Sequence, residues 1–260
     1  MKLNFREFGR GEQTLVILHG LLGSSQNWQR VGRLLGDKYH VLAIDQRNHG
    51  GSPHSPSHTF EDLREDLKSF LDQHNFDHIY LLGHSMGGLA AMEFAFHYPD
   101  YLNKLIIEDI APRAYRSSSL DILQSLVELE IENYNSRQEI DSALAKSITD
   151  KTVRQFLLTN LVRDEAGKLG WRVNLHALLN FQAEMANYET PLHARFEGPT
   201  LFIGGEKSPY RLDLDEGLML QHFPASRLKM VPNAGHWLHF EAMEAFGDIV
   251  VEFLEEKTER

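Results

Sequence analysis

Residues 79–88, Ile-Tyr-Leu-Leu-Gly-His-Ser-Met-Gly-Gly, constrain the fold of this chain more than any other segment. The first four residues form a short apolar run typical of a buried strand, and the Ala- and Leu-rich residues 89–96 are typical of a helix. Between them, residues 83–87 match G-x-S-x-G, a serine on a sharp strand-to-helix turn. Such a turn needs glycine on both sides of Ser85, because a Cβ atom there would collide with neighbouring backbone. We therefore predict that Ser85 is a nucleophile presented at the edge of a sheet.

Strand-like and helix-like segments alternate along most of the 260 residues. The predicted strands are residues 3–8, 14–18, 40–44, 79–82, 104–108, 200–203 and 228–231, and the predicted helices are residues 26–35, 60–74, 86–97 and 241–255. This alternation indicates an α/β fold, a mostly parallel sheet of about seven strands with helices on both faces. The link at residues 9–12 is too short for a parallel crossover, so the first strand should run antiparallel to the second.

The alternation stops between Pro112 and Pro191, where no strand is evident and apolar residues recur at helical spacing. Three stripes carry this spacing: Ile122, Leu123, Leu126 and Val127; Ile140, Leu144 and Ile148; Val153, Phe156, Leu157 and Leu161. We predict a helical cap at residues 112–195, inserted into a core of residues 1–111 and 196–260. The cap should cover the carboxyl edge of the sheet, where α/β proteins place their sites.

The composition argues against several classes of protein. With 26 Lys and Arg against 37 Asp and Glu, the formal net charge is -11, which disfavours nucleic acid and anionic lipid surfaces as partners. The lack of cysteine excludes disulfides, thiolate nucleophiles and Cys-ligated zinc. The amino terminus is polar, and no apolar run approaches the ~18 residues that cross a membrane. We therefore predict no membrane insertion and a cytoplasmic location.

A serine nucleophile needs a base, and position selects one of the 14 histidines. His236 lies in a loop of small residues, 232–236, that leaves the last predicted strand. A residue there would lie at the carboxyl edge of the sheet, as a base serving Ser85 must. We predict that His236 is that base, and a structural loop histidine is the alternative.

The acid that orients the base has several candidates. In this kind of architecture it usually follows the penultimate strand, but Ser208 stands at the expected position and Glu206 comes two residues early. Asp109 lies at the carboxyl end of the strand after the nucleophile's helix, an edge that faces the same crevice. We favour Asp109, with Glu206 next and then Asp213 or Asp215, and a turn or helix-capping carboxylate as the alternative for Asp109. Ser208 could donate a hydrogen bond to the triad.

Two backbone N–H groups should stabilise the oxyanion of the reaction. One is that of Met86, directly after the nucleophile. The other should come from the glycine-rich turn of residues 19–23, where we choose the N–H of Leu21 and keep that of Leu22 as a second option. His19 in the same turn is more typical of a structural hydrogen bond than of catalysis.

These residues together resemble the α/β-hydrolase superfamily over nearly the whole chain, and more narrowly the YbfF-type bacterial esterases. The matching segments are residues 19–24, 45–54, 83–88, 109–112, 171–174 and 235–236. Residues 45–54, D-x-R-N-H-G-x-S-P-H, and residues 109–112, D-I-A-P, are specific to the narrower family. The resemblance implies hydrolysis of carboxylic esters or thioesters by a serine triad without a cofactor. It also supports Asp109 as the acid and implies assistance from a serine near Ser208.

Metal binding is not predicted at the histidines of residues 49–58. Two prolines break the stretch that holds His49, His54 and His58, and no carboxylate pattern completes a site. The turn formed by Asn48, His49 and Gly50 is interpreted as architectural.

We therefore predict a serine carboxylesterase or acyl thioesterase that hydrolyses small to medium acyl esters through an acyl-enzyme. Trp171 and Phe181 are candidates for lining an apolar acyl pocket, with core packing as the alternative for both. Arg172 could bind an anionic end of the substrate, or pair with a surface carboxylate instead. The alternative functions are a C–C bond hydrolase or lyase on the same triad, and a hydrolase-like ligand receptor. The expected partner is a small-molecule ester or thioester, and the expected state is a monomer or weak homodimer.

Overall fold

A seven-stranded sheet forms the centre of the computed structural model, which describes residues 1–115 and 119–257. Its strands are β1 (Phe5–Phe8), β2 (Thr14–Leu18), β3 (His40–Ile44), β4 (Ile79–His84), β5 (Leu102–Glu108), β8 (Thr200–Gly205) and β9 (Ser226–Val231). Their spatial order is β1-β3-β2-β4-β5-β8-β9, and every pairing except that of β1 is parallel. The predicted mostly parallel sheet is confirmed.

The edge strand β1 runs antiparallel to β2, as the short link between them requires, but its hydrogen-bonded neighbour is β3. Phe5 lies opposite Ile44, and Phe8 lies opposite Val41. Because β2 and β3 are parallel, pairing with β3 gives β1 the predicted direction and leaves both sides of β2 for parallel neighbours.

Helices cover both faces of the sheet, because the side chains of each buried strand alternate between two apolar cores. In β2, Val16 and Leu18 pack into the core on the side of α2 (Phe60–His74) and α3 (Met86–His97). Leu15 and Ile17 pack into the opposite core. That second core is covered by α1 (Gln29–Leu35), α9 (Leu238–Glu241) and α10 (Met243–Glu255).

The residues predicted to form the cap, 112–195, lie between β5 and β8 in the chain. They contain α4 (Ser119–Glu128), α5 (Arg137–Leu144), α6 (Lys151–Leu157), β6 (Leu161–Arg163), β7 (Leu169–Trp171) and α7 (Leu175–Ala186). Many of their apolar side chains form a third cluster, which includes Leu22 of the sheet's carboxyl edge. After β8, α8 (Glu216–His222) precedes β9.

The expectation that no strand occurs between Pro112 and Pro191 is wrong, because β6 and β7 form an antiparallel hairpin. Each strand has only three residues, too few to establish an alternating pattern. The third predicted stripe therefore combined two elements, since α6 ends at Leu157 and Leu161 begins β6.

In the described residues, no helix is long and apolar enough to cross a membrane.

Candidate active site

Ser85 occupies the turn between β4 and α3 in a strained backbone conformation. Its φ is 54° and its ψ is -119°, a region that residues with a side chain rarely adopt. A Cβ atom on Gly83 would collide with the carbonyl of Gly87, so the turn tolerates only glycine at residue 83. The N–H of Ser85 donates to the carbonyl of Glu108 on the neighbouring strand, at 3.0 Å. The elbow is therefore fixed by the sheet itself.

Asp109 and His236 meet at the same edge of the sheet. His236 Nδ1 lies 2.6 Å from Asp109 Oδ2, and the Asp109 side chain is fully buried. The N–H of Gly205 donates to the other carboxylate oxygen at 3.0 Å, and the hydroxyl of Ser208 donates to Oδ2. Because the carboxylate can only accept, it holds the imidazole proton on Nδ1 and leaves Nε2 able to accept another.

The other carboxylates considered from the sequence have different partners. Glu206 accepts the N–H of Asn233 at 3.0 Å. Asp213 and Asp215 each form an ion pair with an arginine side chain, at 2.7 and 2.8 Å. Asp109 is thus the one of these four carboxylates whose hydrogen bond to the imidazole the structure records.

The turn of residues 19–23 lies against the nucleophile, since a Cβ atom on Gly20 would be 3.2 Å from that of Ser85. The N–H of Leu22 donates to His49 Nε2 at 3.2 Å, so this second option for the oxyanion hole is already engaged. Leu21 lines the cavity beside Ser85, and Met86 opens α3, where the first N–H groups have no partner within the helix. His19 Nδ1 donates to the carbonyl of Gly20 at 2.8 Å, a structural hydrogen bond.

A cavity of about 680 Å³ opens above Ser85 and His236. Its apolar wall comes largely from the cap segment and from the loop after β9; the residues are Ile122, Val153, Phe156, Leu157, Met185 and Trp237. In the described part of the chain, Trp171, Arg172 and Phe181 are not among the residues that line it. Phe181 is buried against Phe60, with ring centroids 5.0 Å apart.

Tyr210 is a site residue that the sequence did not reveal. Its ring stacks on the imidazole of His236 with centroids 4.2 Å apart and an angle of 16°. Burial is the largest cause that raises the pKa of its hydroxyl, and a hydrogen bond with the Ser85 side chain acts in the opposite direction. No motif marks an aromatic residue two positions after Ser208, so only its packing identifies it.

A second buried network lies directly behind these residues. His84 Nε2 donates to the carbonyl of His236 at 3.0 Å, and the N–H and Nδ1 of His239 both approach Glu108 Oε1, at 3.0 and 2.8 Å. Trp28 stacks on His239 with centroids 4.2 Å apart. The side chains of His84, Glu108 and His239 offer metal-ligand atoms within 4.8 Å of one another. Because each side chain already has a hydrogen-bond partner, we interpret the cluster as a support for the neighbouring site residues.

Five of the buried histidines should make the folded chain sensitive to acid. Burial is the main cause that lowers the pKa of His19, His49, His58, His84 and His239 below 6.5, to about 3 for His58 and His239. As the pH falls below 6.5, the unfolded chain binds protons at these groups more readily than the folded chain does. Each group therefore removes up to about 1.4 kcal/mol from the free energy of unfolding per pH unit.

We expect the urea midpoint to fall steeply between about pH 6.5 and about pH 5, measured by far-UV circular dichroism. Glu108 opposes this loss of stability, because burial raises its pKa from 4.5 to about 7. As the pH falls, the folded state therefore binds this proton before the unfolded state does. His58→Asn keeps an acceptor for the Asn48 side chain and removes one titrating group, so its pH dependence should be shallower. A midpoint that does not change over this range would contradict the prediction.

Comparisons with known proteins cover most of the chain. The family model for the alpha/beta hydrolase fold matches residues 13–242. The sn-1-specific diacylglycerol lipase ABHD11 of Danio rerio is 35% identical in an alignment of 256 residues that covers 95% of this chain and 80% of that protein. The esterase YbfF of Escherichia coli strain K12 is 31% identical in an alignment of 250 residues that covers 94% of this chain and 96% of that protein.

A solved structure is similar over the same extent. A marine microorganism esterase superposes on this chain with a TM-score of 0.93 and 36% sequence identity, covering 97% of this chain and 99% of that chain.

Proposed function

Because this chain belongs to the α/β-hydrolase family, we propose that it hydrolyses acyl esters with Ser85 as nucleophile, His236 as base and Asp109 as orienting acid. The resemblance to this superfamily and to YbfF-type esterases is confirmed, and the chain is a hydrolase of the esterase and lipase type. The observation that carries the proposal is the 2.6 Å hydrogen bond between His236 and a fully buried Asp109, beside a strained serine that shares one cavity with the imidazole.

In the proposed acylation step, Ser85 Oγ attacks the ester carbonyl carbon and His236 Nε2 accepts the hydroxyl proton. The imidazolium then gives this proton to the leaving alcohol as the bond between carbon and leaving oxygen breaks. Asp109 stabilises the positive charge while it exists, and the N–H groups of Met86 and Leu21 donate to the oxyanion. Water attacks the acyl-enzyme by the same route and restores the free serine.

Ser208 assists as a donor to Asp109 in this proposal. Its hydroxyl and the N–H of Gly205 bind both carboxylate oxygens. Two donors hold the carboxylate in one orientation, which directs its remaining acceptor capacity to the imidazole. A serine after β8 thus replaces the acid that the sequence pattern leads one to expect there.

The substrate in this proposal is a small to medium acyl ester or thioester. A cavity of 680 Å³ is within the roughly 300–1,000 Å³ of small-molecule sites, and its wall is mainly apolar. Two relatives are named as a diacylglycerol lipase and an esterase, which also favours acyl esters. We assign the acyl-binding wall to the cap of residues 112–195. A monomer or weak homodimer and a cytoplasmic location remain predictions.

A series of p-nitrophenyl esters from acetyl to dodecanoyl, with matched acyl-coenzyme A thioesters, tests the substrate class. We expect kcat/KM to rise about two- to fourfold per added CH₂ until the cavity is filled, and then to fall, because each buried CH₂ contributes about 0.8 kcal/mol. Because the nitrophenol leaving group is constant across the series, the increase in kcat/KM measures binding of the acyl chain and not a change in the leaving group.

Labelling with a fluorophosphonate separates the alternative functions. A chain that labels at Ser85 but releases product from none of the esters or thioesters would support a C–C bond hydrolase or lyase. A chain that does not label would support a ligand receptor.

A further inference from the structure

Leu22 adopts a backbone conformation that its side chain disfavours. Its φ is 61°, the left-handed region that glycine normally occupies. Leu22 is the third residue of a four-residue turn in which the N–H of Gly23 donates to the carbonyl of Gly20 at 3.0 Å. A positive φ at this position is what several turn types require, and glycine usually provides it. A leucine there needs other contacts to hold it.

His49 and Asn160 hold Leu22 from both sides. The N–H of Leu22 donates to His49 Nε2 at 3.2 Å, and its carbonyl accepts the side-chain N–H of Asn160 at 2.8 Å. These contacts fix the two peptide groups that flank the Leu22 Cα atom, and therefore its φ and ψ. Both side chains are almost completely buried, so water does not compete for these hydrogen bonds.

The protonation state of His49 suits this contact. Its Nδ1 donates to the carbonyl of Arg47 at 2.9 Å, which leaves Nε2 without a proton and able to accept. Burial is the main cause that holds the pKa of His49 well below its usual range, so the ring stays neutral when the site is active. His49, in the segment of residues 45–54, thus supplies a ring nitrogen that accepts the N–H of Leu22. A protonated imidazole could not accept this hydrogen bond.

Asn160 links the turn to the cap segment. It lies between α6 and β6, and its backbone carbonyl accepts the N–H of Arg172 at 2.8 Å, directly after β7. The short β6–β7 hairpin therefore anchors the residue whose side chain binds Leu22. A displacement of the hairpin would be transmitted to the Leu22 carbonyl through this side chain.

The orientation of the turn determines where the N–H of Leu21 points. The carbonyl of Gly20 belongs to the same peptide group as this N–H, and it accepts from His19 Nδ1 at 2.8 Å and from the N–H of Gly23. In a trans peptide the carbonyl and the N–H point in opposite directions. Holding the Gly20 carbonyl on one side therefore directs the N–H of Leu21 to the other.

We propose that His49 and Asn160 are positioning residues for the oxyanion hole, which hold Leu22 in its left-handed conformation and so aim the N–H of Leu21. This inference rests on the proposed function, in which that N–H binds the oxyanion. The contribution of His49 and Asn160 to catalysis should be confined to the transition state, because a ground-state ester carbonyl carries less charge than the oxyanion.

His49→Ala and Asn160→Ala are expected to lower kcat for a p-nitrophenyl ester by about 10- to 100-fold and to change KM by less than about threefold. Binding of an alkyl trifluoromethyl ketone, which forms a tetrahedral adduct with the serine, should weaken by a similar factor. His49→Gln places an amide oxygen near the position of Nε2 and should restore most of kcat. Asn160→Asp puts an acceptor against the Leu22 carbonyl and should be at least as harmful as the alanine variant.

His54→Ala is the matched control. His54 lies in the same segment as His49, is exposed, and contacts the carbonyl of Arg172 rather than the turn. This variant should keep kcat within about twofold of the parent. A wild-type chain that cleaves esters, with alanine variants that lose thermal stability but keep kcat and trifluoromethyl ketone affinity, would overturn the proposal. A wild-type chain that cleaves no ester would instead contradict the proposed function.

Discussion

Replacing Ser85 by alanine is expected to lower kcat for a short p-nitrophenyl ester by about 10⁴- to 10⁶-fold, because no other hydroxyl is held at the strand-to-helix turn. The acyl-enzyme cannot form without this oxygen, and water is left to attack the ester directly. Residual hydrolysis should come from the oxyanion donors and from binding alone. Steady-state rates and the loss of fluorophosphonate labelling measure the change.

Two features make this variant easy to interpret. Ser85 is held at φ 54° by the sheet and by its glycine neighbours, and alanine adds no bulk, so the melting temperature should be nearly unchanged. Ser208→Ala is the matched control, because it also removes a buried hydroxyl at the site but leaves the nucleophile in place. We expect it to lower kcat by less than about 100-fold. Retention of full activity by the Ser85 variant would disprove the nucleophile assignment.

Much of the fold could be predicted from the sequence because local signals and tertiary packing agree. The helix at residues 60–74 has the predicted bounds, since Thr59 caps it and accepts the N–H of Asp62. The helix at residues 86–97 also has the predicted bounds, because the sharp turn at Ser85 determines where it begins. The inner strands β2, β3, β4 and β8 are mostly apolar runs, which a sheet buried on both faces requires.

Elements without a local signal could not be predicted. The strands β6 and β7 depend on pairing with each other, and their three residues carry no recognisable period. The positions of Trp171 and Phe181 relative to the cavity depend on how the cap segment packs, which helical spacing does not specify. The stacking of Tyr210 on His236 is likewise a tertiary contact between two loops.

The candidate site could be predicted where motif and chain order were sufficient, as for Ser85 and His236. The acid could not be decided from the sequence, because Asp109 and Glu206 follow different strands. Their positions relative to His236 depend on the spatial order of those strands, which the sequence does not give. In the structure β5 and β8 are neighbours, and the N–H of Asp109 donates to the carbonyl of Ile203 at 2.8 Å. The ends of both strands therefore lie at one edge, and the direction of each side chain distinguishes the two candidates.

Replacing Asp109 by asparagine is expected to lower kcat by about 10³- to 10⁴-fold with little change in KM. An amide can donate to Nδ1 of His236, which moves the imidazole proton to Nε2, where it blocks the transfer from the serine. It also removes the negative charge that stabilises the imidazolium. Asparagine tolerates the left-handed region, so the φ of 53° at residue 109 should persist and the variant should fold.

Glu206→Gln is the control that makes the Asp109 result specific to the acid of the triad. Its amide oxygen can still accept the N–H of Asn233, so the loop should be retained while a charge at the same sheet edge is lost. We expect kcat to stay within about threefold of the parent, because Glu206 makes this contact away from the imidazole. If Glu206→Gln were the crippling change and Asp109→Asn were mild, Glu206 would be the acid. A loss from Asp109→Asn alone would instead assign that role to the carboxylate after β5.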